Sequence, residues 1–287
     1  METVFGERDT QTAHAGVPVT RQLAGGRGWS VHDYVCEAGP DDRPFEERHE
    51  SVSIAAVVAG SFNYASDQGK ALLHPGALLL GNHGACYECG HDHGVGDRCI
   101  AVKFAPDYFA EIAATAAGSS KFRFPAAMLP SGREMLAHTV MLEAGSKNRE
   151  PLKTEEDLVG FVAATVRALS GAAAVSSRVS SHDSRRLSRA LRYIEDHSDQ
   201  ALDLDQLASI AAMSKFHFLR TFRRTVGATP YQYLLGIRLR RAALRLLTSP
   251  DAVSAIAFET GFGDLSTFNS TFRARFGMTP MAFRRAG

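Results

Sequence analysis

An internal repeat in the last hundred residues limits the possible folds of this chain more than any other feature. Seven positions recur at an offset of fifty residues. They are Phe218, Phe222, Arg223, Gly227, Thr229, Pro230 and Tyr233, which recur as Phe268, Phe272, Arg273, Gly277, Thr279, Pro280 and Phe283. Phenylalanines four residues apart lie on one face of a helix, which indicates an apolar inner face in each copy. The repeat therefore predicts two copies of one helical unit within an all-α domain.

Capping residues mark where the helices of each copy begin. Ser214 and Asp264 precede the helix that carries the paired phenylalanines, and both residue types accept hydrogen bonds from first-turn amides. A Thr-Pro pair at 229–230, and again at 279–280, starts the next helix with proline at its first position. Each unit is thus expected to be a short helix, a tight turn and a second helix. A long helix over 231–247 is expected to join the two units.

Charge divides the chain into two parts of opposite sign. Residues 185–287 contain 16 Lys and Arg against 8 Asp and Glu, whereas residues 1–184 contain 16 against 23. A basic C-terminal module favours a polyanionic partner, although an Arg-rich solvated surface would give the same count. The other interpretation of the repeat is an all-α domain whose aromatic residues are only a core. Two capped helix-turn-helix units in the most basic third of the chain favour DNA binding instead.

The helix faces opposite the repeated phenylalanines are the candidate DNA-contacting surfaces, because the N-terminal part of the second helix enters the major groove in such units. In the first copy this face consists of Lys215, Phe216, Leu219 and Arg220. In the second copy the equivalent positions are Leu265, Ser266, Asn269 and Ser270. The helix over 231–247 would hold the two units about 34 Å apart, the spacing of successive major grooves. It carries Arg238, Arg240, Arg241 and Arg245.

Leu204–Ala243 resembles the first helix-turn-helix unit of AraC/XylS-type regulators, and Val253–Arg284 resembles the second. Members of this family bind asymmetric DNA sites, often as dimers, and usually activate transcription by contacting RNA polymerase. The resemblance implies base contacts from Phe216, Leu219 and Arg220 in the first unit, and from Ser266, Thr267, Asn269 and Ser270 in the second. Many members have arginine where this chain has Ser270, so we expect the first unit to discriminate bases more sharply.

The body that precedes this module is predicted to be rich in short antiparallel strands, which makes the whole chain α+β. Between Trp29 and Phe104, alternating apolar residues such as those from Val52 to Val58 are separated by turns. This spacing is typical of a small antiparallel barrel or a double-sheet jelly roll. The strand order is similar to the cupin-type sensor domain of many AraC-type regulators. That resemblance implies a cupin-like antiparallel β-barrel with flanking helices, which binds a small effector or mediates dimerisation.

Five segments result from these patterns: an N-terminal lead-in at 1–24, a cupin-like sensor domain at 25–105, a helical dimerisation segment at 106–170, a linker at 171–184 and an AraC-type DNA-binding domain at 185–287. The helical segment is expected to contain helices over 107–117, 131–144 and 154–169, the last with Thr154 as its N-cap. The apolar stripe of this last helix, from Leu158 to Leu169, either packs within its own domain or forms the interface of a homodimer.

A cluster of cysteines and histidines is the unusual feature of the predicted sensor domain: Cys86, Cys89, His91, His93 and Cys99. Zinc prefers thiolate and imidazole ligands, so a zinc site built from these residues, structural or sensed, is one interpretation. If 89–93 is a strand, Cys89, His91 and His93 point to the same face. Cys99 joins them if the hairpin loop is 94–98 but not if it is 94–97, and the sequence leaves this register open.

Two other interpretations of the cluster stay open. Cys86 and Cys89 form a CxxC pair, which is able to act as a thiol redox switch in the cytosol. Alternatively, the cysteines are buried thiols and the histidines are ordinary residues of a barrel wall. Outside the cluster, His74 is expected to lie in a turn or at the surface.

An enzymatic body fused to the DNA-binding module is the alternative to a regulator. His91-Asp92-His93 has the H-x-H spacing of iron-binding cupins, with His49 as the candidate third ligand. We find no nucleophile elbow, phosphate-binding loop or acid/base pair in the sequence, so we expect no enzyme activity. A third class is an architectural DNA protein, which would discriminate weakly between sequences.

The function that the sequence predicts is therefore sequence-specific, effector- or metal-responsive regulation of transcription, as an activator. The expected partners are double-stranded DNA, RNA polymerase, a small-molecule effector and a second copy of the chain. The sequence has no apolar run long enough to span a bilayer and no recognisable secretion signal. Its four cysteines do not resemble a secreted disulfide framework. We expect a cytoplasmic protein without a membrane partner.

Overall fold

The computed structural model describes residues 18–42, 44, 46–92, 96–130, 133–144, 151–170 and 180–286. Within these ranges the first half of the chain contains ten antiparallel strands and three helices, and the second half is helical. The strands are β1 (Val19–Gly26), β2 (Trp29–Cys36), β3 (Glu46–Arg48), β4 (Val52–Ala59), β5 (Phe62–Ser66), β6 (Gly69–Leu73), β7 (Leu78–Gly81), β8 (Cys86–Gly90), β9 (Asp97–Phe104) and β10 (Met128–Leu129). The predicted combination of a β-rich N-terminal part and a helical C-terminal part is confirmed.

The strands divide between two sheets. The six-stranded sheet has the order β1-β2-β9-β4-β7-β10, and the four-stranded sheet has the order β3-β8-β5-β6. No closed barrel is seen in the part of the chain that the structure describes, so the predicted barrel is replaced by a double sheet. Both faces of strand β4 are apolar because each face packs against a different core. Ile54 and Ala56 pack on the helical side of the six-stranded sheet, whereas Ala55 and Val57 pack toward the four-stranded sheet.

Strand β1 begins at Val19, inside the segment 1–24 that we predicted to be a lead-in without regular structure. Residues 1–17 of that segment lie outside the described residues. β1 is an edge strand of the six-stranded sheet, and all of its residues are exposed or partly exposed. An edge strand without a buried face shows no apolar alternation, so the periodicity on which the prediction relied could not reveal it.

The three predicted helices follow β9, with the short strand β10 between the first two: α1 (Pro106–Ala117), α2 (Arg133–Glu143) and α3 (Pro151–Ser170). Because α3 begins at Pro151, Thr154 lies inside the helix and the prediction that it is the N-cap is wrong. The apolar stripe of α3 from Leu158 to Leu169 is buried in one core with Ile54 and Val102 of the six-stranded sheet. The stripe is therefore an intradomain contact rather than a free surface for a second copy of the chain.

Seven helices form the C-terminal part: α4 (Ser181–Asp196), α5 (Leu204–Ile210), α6 (Lys215–Val226), α7 (Pro230–Thr248), α8 (Val253–Glu259), α9 (Leu265–Phe276) and α10 (Pro280–Ala286). The predicted caps are confirmed, since Ser214, Thr229 and Asp264 each accept a hydrogen bond from a first-turn amide. Of the predicted linker 171–184, residues 171–179 lie outside the described residues. None of the described helices combines the length and apolar character that crossing a bilayer requires.

The β-rich part and the helical part share their cores. Leu72 of β6 packs into the core of the first helix-turn-helix unit, and Leu136 and Val140 of α2 pack into the core of the second. His74 is fully buried, and its ring meets the ring of Tyr233 edge-on at 5.4 Å between centroids. Of the two predicted alternatives, a turn or the surface, His74 takes the turn, and it is buried because α7 covers that turn.

Candidate DNA-binding surface and sensor cavity

The turn between the two helices of each unit is built in the same way in both copies. Its backbone hydrogen bonds recur at an offset of 49 residues. The residue at the bend has a left-handed backbone in each copy, with φ of 49° at Ala212 and 95° at Gly261. A Cβ atom on Gly261 would lie 2.8 Å from the carbonyl oxygen of Ser198 and 2.8 Å from Nε of Arg238. The second copy therefore requires glycine at a bend where the first copy accepts alanine.

The recognition helices α6 and α9 turn their repeated phenylalanines inward, where all four side chains are fully buried. The opposite face of each helix is left at the surface. The predicted DNA-contacting side chains are all exposed or partly exposed, namely Lys215, Phe216, Leu219, Arg220, Ser266, Thr267, Asn269 and Ser270. Phe216 is 84% exposed. Their placement agrees with the sequence analysis, and their contact with bases stays a prediction.

The two recognition faces differ in what they offer to a duplex. On α6, Lys215 Nζ lies 2.7 Å from a carboxylate oxygen of Asp205 in α5, while Phe216 and Arg220 project into solvent. On α9, the hydroxyl of Ser270 donates to the carbonyl of Thr267 at 3.1 Å. Apart from Leu265, which is also exposed, the α9 face carries small polar groups at the predicted positions. This difference supports the expectation that the first unit discriminates bases more sharply.

The arginines of α7 are engaged by the protein itself. Arg240 makes two hydrogen bonds of 2.7 Å to the carboxylate of Glu143 in α2. Arg245 contacts the carboxylates of Asp251 and Glu259. The two others donate to backbone carbonyls, Arg238 to Ser198 and Gln200, and Arg241 to Glu195. These four side chains contribute to the positive charge count of the C-terminal module, but in the structure they bond to other segments of the same chain.

A cavity of about 410 Å³ lies between the two sheets of the β-rich part. Tyr34 and Ser53 line it from the six-stranded sheet, and Tyr87 lines it from the four-stranded sheet. His49, also at the cavity, hydrogen-bonds the hydroxyl of Tyr64 at 2.8 Å and stacks on the ring of Tyr87 at 4.2 Å. Burial lowers the pKa of His49 to about 4, which keeps its imidazole neutral at physiological pH. The volume is in the range of small-molecule sites.

The predicted zinc residues are only partly brought together. Cys89, His91 and Cys99 line the cavity, whereas Cys86 is not among the residues that line it, and His93 lies outside the described residues. Strand β8 ends at Gly90 and pairs within the four-stranded sheet, whereas β9 belongs to the six-stranded sheet. The condition of a strand over 89–93 is therefore not met, and neither of the two hairpin registers considered for Cys99 is formed. The chain changes sheets between β8 and β9 instead of forming a hairpin.

The structure groups His91 with two residues that the sequence analysis missed, Cys36 and Asp97. One ligand atom from each of the three lies within 4.8 Å of the others. His91 Nε2 is 2.7 Å from Asp97 Oδ2. Burial opposes protonation of His91, but its hydrogen bonds to Asp97 and Cys36 outweigh it and raise the His91 pKa to about 9. The cysteine and histidine cluster did not reveal Cys36, because Cys36 lies fifty residues before it in the chain. It did not reveal Asp97, because the cluster was defined by thiol and imidazole side chains only.

The geometry of β8 bears on the redox interpretation. Cys86 and Cys89 are three residues apart on an extended strand, so their side chains point to opposite faces. Their Cα atoms are then about 10 Å apart, beyond the roughly 7 Å that a disulfide tolerates. A disulfide between these two cysteines would require β8 to lose its extended conformation.

Comparison with known proteins finds similarity over the C-terminal part. Residues 207–286 match the family described as "Helix-turn-helix domain". The HTH-type transcriptional activator RhaS of Escherichia fergusonii is 35% identical over 100 residues, which are 35% of this chain and 36% of the relative. The uncharacterized HTH-type transcriptional regulator YbfI of Bacillus subtilis is 26% identical over 221 residues, which are 76% of this chain and 78% of the relative.

Among solved structures, the DNA-binding domain of AdpA in complex with a target DNA is 32% identical to this chain. The match covers 35% of this chain and 91% of that one, with a TM-score of 0.34. The chain thus spans about a third of the length of the RhaS relative and more than three quarters of YbfI. Residues 207–286 are therefore similar to a helix-turn-helix domain, and these two relatives are described as an HTH-type transcriptional activator and an HTH-type transcriptional regulator.

Proposed function

We propose that this chain is a sequence-specific regulator of transcription that binds double-stranded DNA through α6 and α9. One observation carries the proposal. Two capped helix-turn-helix units of the same build both leave the predicted base-contacting face of the second helix exposed. Phe216, which is 84% exposed, lies on this face of α6 beside Lys215 and Arg220. An apolar contact with a thymine methyl group is one use for such a side chain.

Selection from randomised duplex DNA with the full chain tests the proposal. We expect a defined site to be enriched, because base contacts from two recognition helices discriminate between sequences. Arg220→Ala is expected to weaken binding to the selected site by about 1–3 kcal/mol and to relax the preference at one base position. Arg27→Ala removes an equally exposed arginine of the β1–β2 turn and is the matched control. Binding without enrichment of any site would instead indicate an architectural DNA protein.

The remaining parts of the proposal concern how such a regulator works. We place it in the cytoplasm, as a homodimer that activates transcription through contact with RNA polymerase. The resemblance to AraC/XylS-type regulators supports this, as does the description of the RhaS relative as a transcriptional activator. Because the stripe of α3 is used within its own domain, the dimer interface must lie on another surface. Size-exclusion chromatography with light scattering measures the number of chains, and a monomer at working concentration would contradict the dimer.

The cavity between the sheets is our candidate sensor site for a small effector or a metal ion. It is lined by both sheets and holds the aromatic and titratable side chains of His49, Tyr87 and His91. Such a mixture of apolar walls and a few polar groups is typical of ligand sites. No described observation favours turnover of a substrate there, so we retain a regulator rather than the alternative of a metal-dependent cupin enzyme.

A further inference from the structure

Cys36, His91 and Asp97 reach one point from three separate segments. Cys36 ends β2, His91 follows β8 and Asp97 begins β9. One thiol, one imidazole nitrogen and one carboxylate oxygen all lie within 4.8 Å of one another. In a tetrahedral zinc site with bonds of about 2.0–2.3 Å, neighbouring ligand atoms are about 3.3–3.8 Å apart. A single ion is accommodated by movements on the order of 1 Å, within the range of side-chain adjustment.

The backbone around these residues is arranged so that they meet. Gly96 has a φ of 71°, and a Cβ atom on it would lie 2.1 Å from the carbonyl oxygen of Cys36. Gly60, with the same φ, would in turn place a Cβ atom 2.2 Å from the carbonyl oxygen of Gly96. Only residues without a side chain allow these three backbone segments to touch. Antiparallel pairing of β2 with β9 places Cys36 opposite Asp97, and the glycines let the backbone close around this end of the ladder.

The three side chains form a donor set that suits a zinc-type ion. Thiolate, imidazole and carboxylate are the ligand types that zinc takes in proteins. The side chains of His91 and Asp97 are almost completely buried, and all three residues line the cavity between the sheets. We propose that Cys36, His91 and Asp97 bind a divalent zinc-type metal ion whose fourth coordination position faces the cavity. Cys99 also lines the cavity, and its sulfur lies 3.7 Å from the second carboxylate oxygen of Asp97.

The site adjoins the first helix of the DNA-binding half. Asp92, next to His91 in the chain, accepts a 2.6 Å hydrogen bond from Asn63 and lies 3.4 Å from the guanidinium of Arg185 in α4. Leu191 and Glu195 of α4 face Cys36, Gly96 and Asp97 across a groove, which they line together. Leu191 and Ile194 of α4 also belong to the core that holds Phe218 and Phe222 of α6. Helix α4 therefore contacts both the segments that carry the metal ligands and the core beneath the recognition helix.

Occupancy of the site is accordingly expected to alter DNA binding, and this part of the inference rests on the proposed function. Drawing His91 and Asp97 around an ion shifts the segments that carry Asp92 and Gly96, both of which adjoin α4. A typical coupling between two sites changes affinity by about 5- to 150-fold. We expect the Kd for the selected duplex to differ by about tenfold between metal-loaded and metal-free protein.

Direct metal binding is measured first, on the full chain and without DNA. Zinc titration and plasma mass spectrometry are expected to give about one ion per chain. Cobalt substitution is expected to add a sulfur-to-cobalt charge-transfer band, because Cys36 supplies a thiolate. Cys36→Ser and Asp97→Asn are expected to weaken zinc binding more than about 100-fold. Even the loss of a residue that only hydrogen-bonds to a metal ligand lowers metal affinity about 10- to 100-fold. Cys86→Ser is the matched control, because Cys86 does not line the cavity, and is expected to retain both the ion and the band.

The outcomes of this experiment separate the alternatives. Unchanged thermal unfolding of metal-free Asp97→Asn shows that the variant folds, so its loss of zinc reports on the ligand. Loss of the cobalt band in Cys86→Ser but not in Cys36→Ser would overturn the assignment in favour of the local cysteine cluster. Absence of any bound zinc in the folded wild-type protein would overturn the site altogether.

DNA binding is measured second, with metal-loaded and chelator-treated protein and the selected duplex. A Kd that changes with metal in the wild type, but not in Cys36→Ser, supports the coupling. Equal Kd values in the presence of stoichiometric zinc would overturn the coupling and leave the metal site in place. Stoichiometric zinc in a protein that selects no duplex would overturn the proposed function and leave the metal site in place.

Discussion

The ion pair between Arg240 of α7 and Glu143 of α2 gives a sharp test of how the two halves of the chain are held together. Arg240 donates from Nε and Nη2 to the two carboxylate oxygens at 2.7 Å each, and both side chains are only 10% exposed. Glu143→Ala leaves the guanidinium buried without its counterion. Removing one partner of a buried pair costs about 3–5 kcal/mol, against roughly 1 kcal/mol or less for an exposed pair. We therefore expect Glu143→Ala to lower the free energy of unfolding by about 3 kcal/mol or more.

Urea unfolding, followed by the fluorescence of Trp29 and by circular dichroism, measures this loss. Trp29 is the single tryptophan of the chain and lies in the core of the β-rich half, so its signal reports on that half. Glu143→Leu combined with Arg240→Leu is the matched control, because an apolar pair in place of a buried ion pair is often neutral or stabilising. A loss below about 1 kcal/mol in Glu143→Ala, or a double variant no more stable than that single one, would refute the reasoning.

Three further predictions follow from single side chains. Gly261→Ala is expected to lower the free energy of unfolding by about 2 kcal/mol or more, because a left-handed alanine costs about 1–2 kcal/mol and its methyl group would overlap the carbonyl of Ser198. Ala212→Gly at the equivalent bend is expected to be neutral or stabilising by up to about 1 kcal/mol, and urea midpoints in the reverse order would contradict the shared turn. Phe216→Ala is expected to weaken binding to the selected duplex by about 1 kcal/mol or more. Because the side chain is exposed, the free energy of unfolding is expected to change by less than about 0.5 kcal/mol. Equal affinity of the variant and the wild type in a gel-shift titration would exclude Phe216 from the interface. Burial lowers the pKa of His74 to about 4, below the roughly 6.5 of an unfolded chain, so stability is expected to fall as the pH drops from about 6.5 toward 4. His49, whose pKa burial also lowers to about 4, contributes in the same direction. In urea titrations from pH 7 to 5, His74→Gln should therefore lose less stability than the wild type. His83→Gln, which replaces an exposed histidine, is the control and should follow the wild type. Identical pH profiles for all three proteins would exclude His74 as a contributor.

The helices of the DNA-binding half were predictable because their signals are local. Caps such as Ser214 and Asp264 act within three residues, and the phenylalanine spacing reports directly on one helix face. These helices could therefore be predicted without knowledge of how the rest of the chain folds. The same holds for the exposed face of α6, which follows once the buried face is known.

The features that the sequence analysis missed depend on contacts between distant segments. Neighbouring strands in a chain favour a hairpin, the arrangement considered for the segment from Cys89 to Cys99, whereas β8 and β9 each pair with strands of a different sheet. Cys36 reaches His91 and Asp97 only after that separation places β2 next to β9. A spacing pattern cannot report such a meeting, because the residues between Cys36 and His91 fold into six intervening strands from β3 to β8.

The basic charge of the C-terminal module shows why composition overstates the surface that DNA can use. Two arginines of α7, Arg240 and Arg245, are neutralised by carboxylates of the same chain, and Glu143 belongs to the acidic body rather than to the module. Arg238 is committed to backbone carbonyls. Counterion release depends on how many phosphates are neutralised and not on net charge. The cations left for that role include the exposed arginines 220, 223 and 224 of α6, on or next to the predicted recognition face, so the affinity for a duplex and its discrimination between bases should arise from the same helix.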